Sequence, residues 1–282
     1  MSEARVPGED RARRESQERI DGPFHYWVDG AVVRSDDTSL DRAMLEVGLC
    51  YTTTRIDDGE PLWPSRHAAR LARDAEHHGL EAPHAGTVIA AMLALGRAEF
   101  GAGEGIVRLQ LGLDAAGRTR LVGIPRSIGH EPDAWRLGAS PIVHPGPEKR
   151  GGAKLLGQAF IEDTRRWLEA SGFDEAIMLD AAGLLVEGSR SNLIVVDAAG
   201  RPCFADRALG GVSGVGLEVS CECVPDLAPA RLGRDDLCRA REIVAVNAVR
   251  GARPCTSLDG EPVGDGTPGP FAAALAAALD GA

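Results

Sequence analysis

The sequence predicts a mixed α/β (α+β) chain in two lobes. Three observations carry this. First, 282 residues is long for a single compact core. Second, segments with a two-residue period, closed by Asp-Gly turns, alternate with segments of 3.6-residue period. Third, the Pro- and Gly-rich stretch HPGPEKRGG interrupts the pattern midway. The expected division is a disordered tail at 1–22, an N-terminal α/β lobe at 23–145, a linker at 146–153 and a larger C-terminal lobe at 154–282.

The elements follow in order. HYWVDGAVV (25–33) alternates around Asp29-Gly30 and reads as a hairpin. TTTRIDDGEPLW repeats the device at Asp58-Gly59. A helix follows, with Pro64 in its first turn, Leu71 and Ala75 on its apolar face and Gly79 ending it. A second helix covers Thr87–Phe100. GIVRLQLGL and TRLVGI are strands joined through Asp114–Gly117. Beyond the linker come a helix at Leu155–Ala170, the strands DEAIMLD, SNLIVVD and EIVAVNAV, and a final helix in AAALAAAL.

The net charge of −11 argues against nucleic acid and an anionic membrane surface, because both reward clustered cations. No apolar run reaches membrane-spanning length. The tail mixes Arg with Glu and Asp and has no apolar core, so it reads as neither a signal nor a transit peptide. The six cysteines are scattered and read as reduced thiols of a cytoplasmic protein. Cys221-Glu-Cys223 lacks the spacing and the partners of a zinc set, so no metal is expected.

Lysine gives the sharpest chemical signal. Only Lys149 and Lys154 occur, and every other basic side chain is Arg. A solvated cation tolerates replacement by Arg, but an amine that must join a carbonyl does not. Lys154 follows Gly151-Gly152 and could carry an aldehyde cofactor as an imine. Lys149 sits beside Arg150 and reads as a solvated linker residue. Glu187, in LLVEGSRSNLIVV, suits the role of a carboxylate that keeps a pyridine nitrogen protonated. GGVSGVGLEV (210–219) is a glycine-rich turn opening a helix, a setting for phosphate. Arg70 on the first long helix could add a bidentate phosphate contact. The glycine turn also admits a dinucleotide reading, but no apolar strand precedes it and no acidic residue follows at the expected place.

In their order, Arg70, Lys154, Glu187 and Gly214 resemble the fold-type-IV pyridoxal-phosphate enzymes. That group includes branched-chain and D-amino-acid aminotransferases, R-selective amine transaminases and 4-amino-4-deoxychorismate lyase. The resemblance covers nearly all of 25–265 and implies two lobes with the cofactor cleft between them. It implies that Lys154 binds the cofactor and shuttles a proton, with Glu187 facing the ring nitrogen. Arg70, the amides of Val215 and Gly216, and Asn247-Ala248 in VNAVRGARP would hold the phosphate. Tyr51, Thr53 and Arg118 would face the substrate, and a homodimer is implied as well.

This chain departs from the family pattern at several positions. Val47-Gly48-Leu49 stands where many members have Gly-Asp-Gly. Thr52 stands where aminotransferases often have Glu, and Ala159, beside Gln158, where branched-chain members have Tyr. CYTTTRIDDG is similar to the lyase pattern, but the Arg-Gly of lyases is missing near Leu111–Leu113. The resulting expectation is amino transfer between an amino acid, or amine, and a 2-oxo acid. The alternative is release of pyruvate and 4-aminobenzoate from aminodeoxychorismate. A non-enzymatic scaffold is a third reading, which the retained Lys154 and Glu187 oppose.

Overall fold

The computed structural model describes residues 23–35 and 49–282. The expectations for residues 1–22 and for Val47-Gly48 lie outside the described residues. The described chain forms two units. One holds the residues up to His130 together with Ala153–Gly157, and the other holds Glu131–Gly152 and Gln158–Ala282.

The smaller unit is built on an antiparallel sheet. Its strands are β1 (His25–Val28), β2 (Ala31–Arg34), β3 (Cys50–Asp57), β4 (Glu60–Pro61), β5 (Gly105–Leu113) and β6 (Thr119–Arg126), in the order β2-β1-β6-β5-β3-β4. Both expected Asp-Gly hairpins form. Asp29, Gly30, Asp58 and Gly59 all adopt positive φ, the twist that matches tight hairpins. Helices α1 (Pro64–His77) and α2 (Ala85–Phe100) cover one face. The core there includes Trp27, Ile56, Leu71, Leu95 and Leu109. Burying each such side chain contributes about 1.5–3 kcal/mol.

Alternation along β3 sorts its residues. Cys50, Thr52, Thr54 and Ile56 are fully buried on the helix side. Tyr51 and Thr53 take the other face, in register with Gln110 and Arg108 of β5.

The segment after the linker differs from expectation. The helix expected from Leu155 begins at Ala159 instead, as α4 (Ala159–Ser171), which follows the short α3 (Pro147–Arg150). The residues before α4 extend along β3. Tyr51 N–H donates to Lys154 O at 3.0 Å, Leu156 N–H donates to Leu49 O at 3.0 Å, and Leu155 bridges Cys50. Strand pairing thus overrides the helical period at Leu155 and Leu156.

The larger unit carries β7 (Trp135–Ala139), β8 (Glu175–Leu179), β9 (Leu185–Gly188), β10 (Asn192–Val196), β11 (Pro202–Ala205), β12 (Ala228–Ala230), β13 (Glu242–Asn247), β14 (Gly251–Leu258) and β15 (Glu261–Pro262). The order is β12-β11-β10-β13-β14-β7-β8-β9, with β15 on β14. β7 falls within the expected N-terminal lobe, yet it pairs in parallel with β8 and β14 and so belongs here. Its helices include α5 (Val215–Cys223), α6 (Arg234–Cys238) and α7 (Pro270–Asp280). Laid flat, the sheet would put β9 five strand spacings, about 24 Å, from β10. The link from Gly188 to Asn192 reaches only about 14 Å. The sheet must therefore curl, and Gly188 N–H closes the β9–β10 turn on Ser191 O at 2.8 Å. No helix among the described residues is long and apolar enough to cross a membrane.

Candidate active site

The residues singled out above fall into two sets, one in each unit. In the smaller unit α1 buries both a polar and an apolar stripe. Ala68, Leu71 and Ala75 pack into the core, while His67, Arg70 and Asp74 line up beside them at helical spacing. Arg70 Nη2 donates to Thr52 Oγ1 at 2.5 Å, and the same oxygen lies 2.7 Å from His67 Nδ1. Because Arg70 donates to this hydroxyl, its proton is free to go to Nδ1, which assigns the neutral tautomer to His67. Burial, reinforced by the charges of Arg70 and Lys154, holds His67 well below the ordinary imidazole range. Asp74 accepts the main-chain N–H of Lys154 at 3.0 Å. The adjoining Cys50 thiol is pushed up to about 12, mainly by burial and then by Asp74. That excludes it as a nucleophile near neutral pH.

Lys154 itself is half-buried. Its Nζ lies 5.1 Å from the Tyr51 ring centroid, and the Arg108 guanidinium carbon lies 4.8 Å from the same centroid. Thr53 pairs with Arg108 across β3 and β5 and shares that face. Thr52 and Thr54 do not share it, because Thr54 Oγ1 donates to Leu62 O at 2.8 Å on the helix side. Arg118 sits in the β5–β6 turn, where its side chain is 72% exposed and 2.8 Å from Asp114 Oδ2.

In the larger unit Glu187 on β9 is 3% exposed. Its Oε2 accepts the Val212 N–H at 2.8 Å, and Oε1 faces His144 Nε2 at 3.5 Å. The turn after Glu187 is pinned by buried Glu175, which accepts Ser189 N–H at 2.9 Å and Ser191 Oγ–H at 2.9 Å. The chain from Gly211 to Gly214 leads into α5, whose first turn has no side-chain cap. Its backbone donors and helix dipole suit an anion. Gly214 packs on Asn192, where an added Cβ would lie 2.2 Å from Oδ1. An added Cβ at Gly216 would meet Asn247 backbone atoms at 2.9–3.2 Å. The Asn247 side chain shapes its own turn by accepting the Val249 and Arg250 N–H groups at 2.9 and 2.8 Å. Val215, Gly216 and Asn247 therefore meet, and buried Ala248 follows in the same turn.

Within the smaller unit, then, Arg70, Lys154 and Tyr51 belong to one connected cluster. Within the larger unit, Glu187 and the glycine turn belong to another. Sequence reasoning missed Thr52, His67, Asp74, Arg108 and His144. The spacing of His67, Arg70 and Asp74 on one helix face was an available signal. So was Arg108, a cation inside an otherwise apolar strand. Nothing in the sequence pointed to His144.

The amino-transferase class IV family model matches residues 49–258. No curated protein matches the sequence. Among solved structures, a branched-chain aminotransferase from Thermoproteus uzoniensis, determined with norvaline, is 21% identical, with a TM-score of 0.80 over 92% of this chain and 94% of that one. The Escherichia coli branched-chain aminotransferase is 18% identical, with a TM-score of 0.81 and coverage of 92% and 94%. The Thermobaculum terrenum branched-chain aminotransferase in its PLP form is 15% identical, with a TM-score of 0.80 and coverage of 93% and 94%. These likenesses agree on the fold, and the family model spans both residue sets: the chain belongs to the amino-transferase class IV family.

Proposed function

We propose that the protein is a pyridoxal-phosphate-dependent enzyme moving an amino group between an amino acid and a 2-oxo acid. The observation that carries this reading is Lys154, a half-buried amine against Tyr51 whose own main chain Asp74 holds in place. The donor set fits the cofactor. A buried guanidinium and an uncapped helix start suit a phosphate, a buried carboxylate suits a pyridinium N–H, and a close-packed glycine turn leaves room for backbone approach.

When bound, pyridoxal phosphate supplies an aldehyde that joins amines and a ring that takes up electrons. Lys154 anchors the cofactor and moves the substrate α-proton. Glu187 accepts the ring N–H, which keeps the ring a strong electron sink. Arg70 and the amides of Val215 and Gly216, with Asn247 and Ala248 beside them, hold the phosphate. Tyr51 and Thr53 line the substrate face, and Arg108, rather than Arg118, reads a substrate carboxylate there, because it shares that face and stacks on Tyr51. Thr52 stands where a carboxylate is common in the family and serves Arg70 instead. A cytoplasmic homodimer belongs to the same reading, and sizing chromatography tests the assembly.

The decisive experiment is a half-reaction. An amino donor alone should convert the cofactor spectrum to the amine form in one turnover, and a 2-oxo acid should restore it. Borohydride should fix the cofactor to the peptide bearing Lys154, and labelling at Lys149 would overturn that assignment. Release of pyruvate and 4-aminobenzoate from aminodeoxychorismate, with no response to any donor–acceptor pair, would replace transfer by the lyase reaction.

A further inference from the structure

We infer that His144 is a positioning residue for Glu187: its Nε2–H holds the second carboxylate oxygen in place and keeps the group ionised. The inference rests on the proposed role of Glu187 at the ring nitrogen. His144 lies between β7 and α3. Its main-chain N–H donates to Leu179 O at 2.8 Å at the end of β8, and β8 pairs Met178 with Glu187 on β9. Two strands therefore set where the imidazole meets the carboxylate. The side chain is fully buried, and its ring stands edge-to-face to Phe160 at 5.0 Å and 79°.

Hydrogen bonding assigns the tautomer. Nδ1 accepts the Gly146 N–H at 3.1 Å, so its lone pair is used and the single proton sits on Nε2. Nε2 has no hydrogen-bond partner among the described residues, and Glu187 Oε1 lies 3.5 Å from it. That is long for a hydrogen bond, but an N–H dipole facing a carboxylate in a buried setting is favourable at this range. Without the carboxylate this N–H would be a buried, unsatisfied donor, which an apolar side chain of similar volume would avoid.

The chemistry makes the contact matter. Burial at Glu187 opposes the carboxylate anion, while donors favour it. One oxygen is already served by Val212. A protonated Glu187 would lack the negative charge that favours a protonated ring nitrogen, so the proton balance of the ring would depend on the second donor. Neutral His144 supplies that donor without adding a charge of its own.

The test compares His144→Leu, which removes the donor, with His144→Gln, which offers an amide N–H at similar reach. Both are read against Glu187→Gln. In the protein loaded with ¹⁵N-labelled pyridoxal phosphate, His144→Leu should move the ring nitrogen resonance from the protonated toward the unprotonated position, as Glu187→Gln does. His144→Gln should restore it. Turnover should fall on the order of tenfold in the Leu variant, the size typical of groups that orient a functional ligand, and recover in the Gln variant. In the cofactor-free protein, urea unfolding should show His144→Leu destabilising the wild type but adding little in the Glu187→Gln background.

If Glu187→Gln shifts the ring signal and His144→Leu does not, His144 is packing only and the inference falls. If neither shifts it, the ring-nitrogen role of Glu187 falls, and the unfolding cycle alone judges the pair. Additive costs in that cycle would overturn the His144–Glu187 contact.

Discussion

The two residue sets are held by different means. In the smaller unit side chains do the holding: Thr52 bridges His67 and Arg70, and Asp74 holds the main chain at Lys154. In the larger unit the backbone does most of the work. Val212 N–H fixes Glu187, and Gly216 lies against the Asn247 main chain. Thr52 meets Arg70 through a side-chain hydroxyl, a contact that depends on reach rather than on close backbone packing. The backbone-built cup has no such latitude, since its fit depends on missing side chains.

The strongest break of this contrast is Gly216→Ala. The new Cβ would sit 2.9–3.2 Å from Asn247 backbone atoms, which have no rotamer to move. Overpacking of this kind costs about 1–3 kcal/mol. We expect a lower Tm and a large loss of pyridoxal-phosphate affinity in a fluorescence titration. Unchanged affinity would remove the cup from the cofactor site.

Thr52→Val keeps the volume and deletes the hydroxyl. Arg70 and His67 then each lose a buried partner, a penalty of about 1–3 kcal/mol. Affinity for pyridoxal phosphate should fall while affinity for pyridoxal, which lacks the phosphate, stays constant. Equal losses for both would show that Thr52 acts on the fold rather than on Arg70.

The side-chain set should also be the pH-sensitive one. His67 is held below its ordinary value of 6.5, so below that pH the unfolded chain takes up a proton that the folded chain refuses. The His67 contribution to stability is therefore complete above 6.5 and lost as pH falls toward the folded value. Urea unfolding at about pH 7.5 and about pH 5.5 should show this loss in the wild type and a smaller one in His67→Gln.

The smallest effect is expected at Arg118. Its exposed pair with Asp114 should contribute little to stability, and Arg118→Ala should leave kcat/KM unchanged. Arg108→Ala, by contrast, should raise KM for the amino acid. The reverse pattern would return Arg118 to the substrate face.

Much of this was legible in the chain. The Asp-Gly hairpins, α1, α2, the strands β8, β10 and β13 and the glycine turn before α5 all announce themselves through local rules of turn chemistry and periodicity. The scarcity of lysine points to Lys154 because guanidinium cannot replace an amine that joins a carbonyl. Thr52 stood out only as a departure from the family pattern, not as a partner of Arg70. Alternation along β3 separates it from Thr53, but which face meets α1 is a matter of packing.

What the sequence determined by itself is therefore the set of chemical groups and the local elements that carry them. These depend on near neighbours in the chain. The tertiary structure alone decided which groups meet. The segment at Lys154–Leu156 pairs alongside β3 because edge pairing outweighs helical propensity there, and β7 joins the larger unit through parallel pairing. His144 faces Glu187 because β9 and the end of β8 set both groups, a long-range pairing with no periodicity to betray it.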